Sequence, residues 1–240
     1  MRQVPRNVSY LLIGNGRVAR HFQYYFSLLQ LPFATWHRLE SLPLLREQIR
    51  SASHILLLIS DDGVDPFIDA HLSKSSAVLI HCSGSLNSRK AYGAHPLMTF
   101  GSAIYADDIY ASLPFMIDDH ALAFADLLPG LPNAHFRLDR RNKAKYHALC
   151  VLAGNFSCLL WQKLLGDFEQ DLGWPAASAA PYLKQQMQNL LSDYRNALTG
   201  PLVRGDSLTL QRNLDALKND PFQAVYHSFI SCYRSITEAP

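Results

Sequence analysis

The feature that most constrains the fold stands at the start of the chain. There a short apolar run, Val8-Ser-Tyr-Leu-Leu-Ile, breaks into Gly14-Asn15-Gly16-Arg17-Val18-Ala19. Residues 8–13 read as a buried strand, and Val18, Phe22, Phe26 and Leu29 then recur with helical spacing. A glycine turn between a strand and a helix makes a cradle for a dinucleotide. Gly14 permits the tight turn, Gly16 lets the backbone approach a pyrophosphate, and Ala19 is small enough for close helix–strand packing. The helix start, with Asn15, Arg17 and Val18, offers free N–H groups to the anion. The alternative is an ordinary strand-to-helix turn, because the pattern is short. Its position on a predicted junction favours the cradle.

Alternation continues beyond this unit. Residues 33–37, 54–59 and 77–80 read as strands, separated by helical stretches at 42–49 and 65–72. Two more strands, 111–117 and 134–138, flank a helix at 120–128. Strands alternating with helices imply right-handed crossovers and a parallel sheet. From Asp139 onward only helical periodicity remains, at 143–165, 181–198, 207–218 and 221–237, the last started by Pro221. The expected architecture is α/β, a Rossmann-like, mainly parallel sheet over 1–138 followed by an all-helical C-terminal domain over 139–240.

Composition narrows the function. The 240 residues suffice for one large domain or two modest ones, at about 100–200 residues each. Apolar residues make up 48% and charged residues 18%, which describes a folded chain with ample core material. A net charge of +2 is too small to argue for nucleic acid or an anionic membrane. Cys82, Cys150, Cys158 and Cys232 are scattered and read as buried thiols in a reducing compartment. The first apolar run is too short for a signal peptide, so a cytoplasmic location is expected. Asn7-Val-Ser9 and Asn155-Phe-Ser157 match the glycosylation pattern, which matters only in an exported chain. The apolar segment 148–161, interrupted by Gly154, Asn155 and Ser157, falls short of the ~20 residues of a membrane span and suits a buried core helix. The ten histidines show no metal-ligand spacing, so no metal is expected.

The second predicted strand bears on the choice of cofactor. Folds that bind NAD place a carboxylate at its end for the ribose 2′-hydroxyl. Here Trp36-His37-Arg38 stands at that point, with no carboxylate before Glu40. A guanidinium matches a 2′-phosphate, which predicts NADP, with Arg38 the main contact and His37 the second. The alternative for Arg38 is a solvated loop arginine.

Five further segments go beyond a generic signature: Leu58-Ile-Ser-Asp-Asp62, His81-Cys-Ser-Gly-Ser85, Gly93-Ala-His-Pro-Leu-Met-Thr-Phe100, Tyr146-His-Ala-Leu-Cys-Val-Leu-Ala-Gly-Asn155 and Leu198-Thr-Gly-Pro-Leu-Val-Arg-Gly-Asp206. Together they resemble a bacterial family of Rossmann-like NADP-dependent oxidoreductases with a C-terminal helical domain of unknown function. The resemblance spans nearly the whole chain. That family is similar in architecture to pyrroline-5-carboxylate reductase, prephenate dehydrogenase and the 6-phosphogluconate dehydrogenase-like enzymes. The resemblance implies a 6-phosphogluconate dehydrogenase-like helical domain and places Ile59, Ser60 and Asp61, after the third strand, on the cofactor.

The resemblance also suggests where chemistry occurs. Prephenate dehydrogenases carry a Gly-x-His-Pro segment whose histidine touches the substrate hydroxyl, with a serine nearby. Gly93-Ala-His95-Pro96 and Ser83 are similar. A histidine titrating near the working pH would serve as acid or base at His95; the alternative is a structural histidine before Pro96. β-Hydroxyacid dehydrogenases place Lys-x-x-x-Asn on the first long helix of the second domain. Asn155 stands at a comparable place, but Val151 replaces the lysine, and His147 lies two turns earlier. Asn155 either contacts substrate or is a buried asparagine satisfied by a neighbouring helix. Arg204 either captures a carboxylate or pairs with Asp206 or Asp193, the second being favoured. The basic run Arg137 to Lys145 reads as a solvated linker.

The expected function is an NADP-dependent oxidoreductase, moving hydride between nicotinamide and a C–OH or C=N centre of a small polar metabolite in an interdomain cleft. His95 would act as acid/base, with Ser83, Asn155 and His147 around the substrate, in a homodimer. The rival is a sensor or scaffold that binds NADP without turnover. A hydrolase using Ser83 or Cys82 lacks the Gly-x-Ser-x-Gly elbow.

Overall fold

The computed structural model describes residues 8–237. Asn7, in the first glycosylation pattern, lies outside the described residues. Seven strands form one sheet in the order β2-β1-β3-β4-β5-β6-β7. They are β1 (Tyr10–Ile13), β2 (Phe33–Trp36), β3 (His54–Leu57), β4 (Val78–His81), β5 (Tyr92–Pro96), β6 (Phe115–Asp118) and β7 (His135–Leu138). The first five run parallel, β6 is antiparallel to β5, and β7 is parallel to β6. The chain thus has the Rossmann-like, mainly parallel sheet expected, and among the described residues no strand follows Leu138.

The sheet is covered on both faces, which explains why its central strands read as unbroken apolar runs. In β1, Tyr10 and Leu12 pack into one core cluster with Phe22, Phe26, Leu56, Ile80 and Phe115. Leu11 and Ile13 pack into a second with Trp36, Ile55, Leu57, Val64 and Ile68. Helix α1 (Arg17–Leu28) buries Ala19, Phe22, Tyr25 and Phe26. It also buries His21, whose Nδ1 lies 2.6 Å from the Tyr110 hydroxyl. Helix α2 (Leu42–Ser51) is capped by Ser41, whose hydroxyl accepts from the Leu44 N–H.

Several elements within the sheet region differ from the sequence reading. The strand expected at 111–117 is confined to Phe115–Asp118, since 107–112 is helical, and the helix expected at 120–128 is reduced to Phe124–Leu127. Strand β5 was not expected, because Tyr92-Gly-Ala-His-Pro combines a glycine and a proline that argue against a strand. Its proline is tolerated because β5 is a short strand that ends there. Helix α3 (Asp61–Phe67) begins four residues earlier than expected and continues as a wide π turn, Ile68–Leu72. Helices α4 (Asp107–Ser112) and α5 (Phe124–Leu127) complete this region.

The chain divides into two compact units, Met1–Leu159 and Leu160–Pro240. The division falls within helix α6, which runs unbroken over Arg140–Gln170 with a π turn at Val151–Phe156. The helix expected over 148–161 is present and continuous, with the Ser157 hydroxyl bonded back to the carbonyls of Ala153 and Gly154; its expected burial is corrected. No residue of its most apolar stretch is buried, and α6 is long and apolar enough to cross a membrane by length and composition alone. Exposed apolar side chains on it include Leu152 and Phe156.

The second unit holds the helices Ala180–Ser192, Ser207–Ala216 and Phe222–Thr237 and the short Pro201–Arg204. Lys163 joins them by bridging Asp167 and Asp220, each at 2.6 Å. Gly200 and Gly205 take positive φ on either side of the short helix, as turn residues do. Arg204 does not pair as expected. Asp206 instead caps the next helix through Thr209, and Asp193 is held by Asn196, leaving Arg204 exposed. The thiols are also less buried than expected: Cys82 and Cys150 are half-buried, while Cys158 and Cys232 are exposed.

Candidate active site

The glycine turn follows β1 at the carboxyl edge of the sheet, where the strand order changes direction between β2 and β3. That crevice is where open α/β sheets bind ligands. Gly14 is buried with φ +129°, and a Cβ there would run into the Leu58 carbonyl. Its N–H donates to the Trp36 carbonyl at 2.8 Å, which ties the turn to the end of β2. Gly16, by contrast, is exposed, and a Cβ on it would meet nothing within 4 Å. It is the N-cap of α1, with no side-chain cap and no acidic residue in the first turn. The helix start is thus open, uncapped and free of repelling charge, which fits a pyrophosphate. Asn15 and Arg17 are exposed beside it, Val18 is half-buried and Ala19 fully buried.

Arg38 is exposed in the turn after β2, two residues beyond Trp36, which pairs with Ile13. Glu40, the carboxylate of that turn, is folded back and accepts from the His37 N–H at 2.7 Å. Its oxygen also lies 3.7 Å from His37 Nε2. Past β3, Ile59 is half-buried and Ser60 exposed. Asp61 is committed to the next loop, accepting from Ser83 Oγ at 2.6 Å and Ser85 Oγ at 3.1 Å. The Ser83 oxygen in turn accepts from the N–H groups of Ser85 and Leu86. Ser83 therefore shapes the loop after β4 through a fully engaged hydroxyl.

A second polar group gathers three strands away on the same edge, about 14 Å at usual strand spacing. His95 is the penultimate residue of β5, and its Nδ1 lies 2.7 Å from the Tyr146 hydroxyl. The ring of His147 stands edge-on to His95, with centroids 6.2 Å apart. Gly84 is wedged against both. A Cβ there would lie 2.7 Å from His147 Cδ2 and 3.2 Å from His95 Nε2, so only glycine lets the loop backbone reach both rings.

Beneath these rings lies a buried ion pair. Lys143 Nζ is 2.8 Å from Asp118 Oδ1, with the two side chains 3% and 2% exposed. The ammonium also donates to the Leu86 carbonyl at 2.6 Å, and Asp118 Oδ2 accepts from the Gly93 N–H at 2.6 Å. The pair thus joins α6, β6, β5 and the loop after β4. It also explains the glycine two residues before His95, since a Cβ on Gly93 would lie 2.5 Å from Lys143 Nζ. Lys143 is thereby corrected from a solvated linker residue to a buried one; the strand-end carboxylate draws it in.

Burial also corrects the expected titration of His95. Loss of solvent, reinforced by His147 and Lys143, lowers its pKa from 6.5 to about 4. His81 is lowered to about 4 by burial and by Lys143. Both imidazoles are therefore neutral at neutral pH. Because their folded pKa values lie below the unfolded 6.5, the unfolded chain binds more protons in between. Stability should hold above pH 6.5 and fall as pH drops from 6.5 through 4, a slope that acid titration followed by circular dichroism reads. His95→Gln should make it shallower, and an unchanged slope in that variant would contradict the assignment.

The match to a family model begins at Asp118 of this site. Residues 118–232 match the model of a family described as a domain of unknown function, DUF2520. A comparison with curated protein sequences finds no relative. Among solved structures, BF3122 from Bacteroides fragilis, provisionally named an NADP oxidoreductase, is 17% identical with a TM-score of 0.74 over 94% of this chain and 97% of that one. An imine reductase from Streptomyces aurantiacus is 13% identical with a TM-score of 0.61, covering 96% and 95%. Pyrroline carboxylate reductase from Plasmodium falciparum, solved with NADP bound, is 12% identical with a TM-score of 0.57, covering 94% and 96%. At these identities the likeness is one of fold: a Rossmann-like sheet followed by a helical C-terminal region.

The structure brings His95, His147, Gly84 and the Ser83 loop together. Asn155 is exposed within the π turn of α6, which sets aside its reading as a buried, satisfied asparagine. Sequence reasoning missed Tyr146, Lys143, Asp118 and His81. The available signal was on α6, where Lys143, Tyr146, His147 and Cys150 recur at i, i+3, i+4 and i+7 and so share one face.

Proposed function

We propose that this chain is an NADP-dependent oxidoreductase moving hydride between nicotinamide and a C–OH or C=N centre of a small polar metabolite. The observation that carries this reading is the open glycine cradle on the same sheet edge as the His95–Tyr146–His147 group. In this reading the N–H groups of residues 15–19 hold the pyrophosphate, and His37 and Arg38 hold the 2′-phosphate. Ile59, Ser60 and Asp61 border the cofactor, which supplies or takes the hydride. His95 hydrogen-bonds the reacting oxygen or nitrogen while His147 and Asn155 position the substrate; Ser83, expected beside the substrate, instead holds the loop next to it.

The π turn supports the part given to Asn155. Eight residues of α-helix turn through about 800°, which would put Asn155 about 80° away from His147. One extra residue accommodated in a π turn reduces this to about 700°, within about 20° of two full turns. The two side chains then share a face.

Turnover is tested by incubating the protein with NADPH and a panel of keto and imino compounds while following nicotinamide absorbance. Consumption with any member supports the reading. Binding without turnover across a broad panel favours the sensor, a reading supported by Val151 standing where dehydrogenases of this architecture carry lysine. Arg38→Ala should weaken NADPH binding by about 10- to 100-fold, the worth of a charge-assisted contact, and leave NADH nearly unaffected. Equal losses for both nucleotides would remove Arg38 from the 2′-phosphate.

The proposed state is a cytoplasmic homodimer. Exposed Leu152 and Phe156 in the first unit, and Leu191 and Ile236 in the second, leave apolar surface that a second copy would cover.

A further inference from the structure

His95 has one ring nitrogen facing the site, and Tyr146 decides what that nitrogen can do. The 2.7 Å contact between His95 Nδ1 and the Tyr146 hydroxyl holds a single hydrogen, which belongs either to the phenol or to the ring. Burial keeps the ring neutral. Burial, together with the Cys150 side chain, holds the phenol well above its usual range, so it stays protonated. A neutral phenol is a stronger acid than a neutral imidazole N–H, and an imidazole nitrogen is a stronger base than a phenol oxygen. The stronger hydrogen bond is therefore the one in which the phenol donates to Nδ1. In that arrangement the ring's own hydrogen is on Nε2.

Nε2 is the atom beside Gly84, and it has no hydrogen-bond partner among the described residues. Unlike His81 Nε2, it is not sealed in the core. It is a free donor at the edge of the site.

We propose that Tyr146 is a positioning residue that locks His95 in the Nε2–H tautomer, so that the site presents a hydrogen-bond donor, not a base, to the carbonyl oxygen or imine nitrogen of its substrate. This rests on the oxidoreductase reading and gives it a substrate class. The locked tautomer has no free ring lone pair to take a proton, so His95 serves as a donor and the proton is exchanged with solvent. Hydride from a reduced nicotinamide, which leaves oxidised, adds to the carbon, and the π pair of the C=O or C=N bond moves onto the heteroatom. The Nε2–H meets the charge developing there until the heteroatom takes a proton from solvent.

The test is a long-range 1H–15N correlation spectrum of the full chain labelled with 15N-histidine, with His95 assigned by its loss in His95→Gln. The expected pattern at neutral pH is a protonated, pyrrole-like Nε2 and an unprotonated, pyridine-like Nδ1. Tyr146→Phe keeps the ring but removes the donor, and His95 should then move to the averaged signals of two exchanging tautomers. A wild-type His95 with protonated Nδ1 overturns the proposal, as does a Tyr146→Phe spectrum identical to wild type. If Tyr146→Phe fails to fold, the wild-type spectrum alone decides. The measurement uses neither cofactor nor turnover, so its failure is distinct from failure of the oxidoreductase reading.

Discussion

Gly14→Ala is expected to destabilise the fold by about 3 kcal/mol or more and to abolish dinucleotide binding. Two effects add. The φ of +129° is one that residues with a Cβ rarely adopt, and the added carbon would meet the Leu58 carbonyl, a backbone group that has nowhere to go. Leu58 is held by its own N–H donating to Ile13 at 2.8 Å, and Gly14 by its bond to Trp36, so relief would require parting β1 from β2 or β3. Gly16→Ala is the matching control. With φ −77° and no neighbour within 4 Å of the added carbon, it should leave stability nearly unchanged while still blocking close approach of a phosphate. Denaturant unfolding of the two variants separates these effects. A Gly14→Ala variant as stable as wild type would mean that the turn is not built as described.

The second large effect concerns Lys143. Replacing it with Met leaves the Asp118 carboxylate buried without its cation, which should cost about 3–5 kcal/mol. The loss should be partly restored by the double variant Lys143→Met with Asp118→Leu, because the penalty comes mainly from the stranded charge rather than from the absence of the pair. Unfolding midpoints of the single and double variants read this directly. A single variant within about 1 kcal/mol of wild type would place Lys143 in solvent after all, as surface ion pairs contribute no more than that.

The alternating strands and helices up to β4, and the all-helical remainder, were legible because central strands buried on two faces must be apolar throughout. β5 was not, because its glycine answers to a distant residue: Lys143 Nζ and Asp118, far along the chain, occupy the space where a Cβ would sit. The cradle was legible for the opposite reason, since Gly14, Gly16 and Ala19 serve neighbouring backbone and lie within six residues. His95 and His147 were marked by their motifs, but their protonation was not, because it depends on burial beneath Gly84 and on Lys143. Tyr146 was in view without a role, since only the fold places its hydroxyl on His95. In α6 the helix was legible from its periodicity, but the π turn within it was not.

The central claim is that the open turn at Gly14–Gly16 holds a dinucleotide with a 2′-phosphate. Calorimetric titration of the wild-type chain with NADPH and then NADH tests it most directly. The expected result is saturable binding of NADPH at one site per chain, tighter than NADH. Absence of heat and of competition with either nucleotide would contradict it.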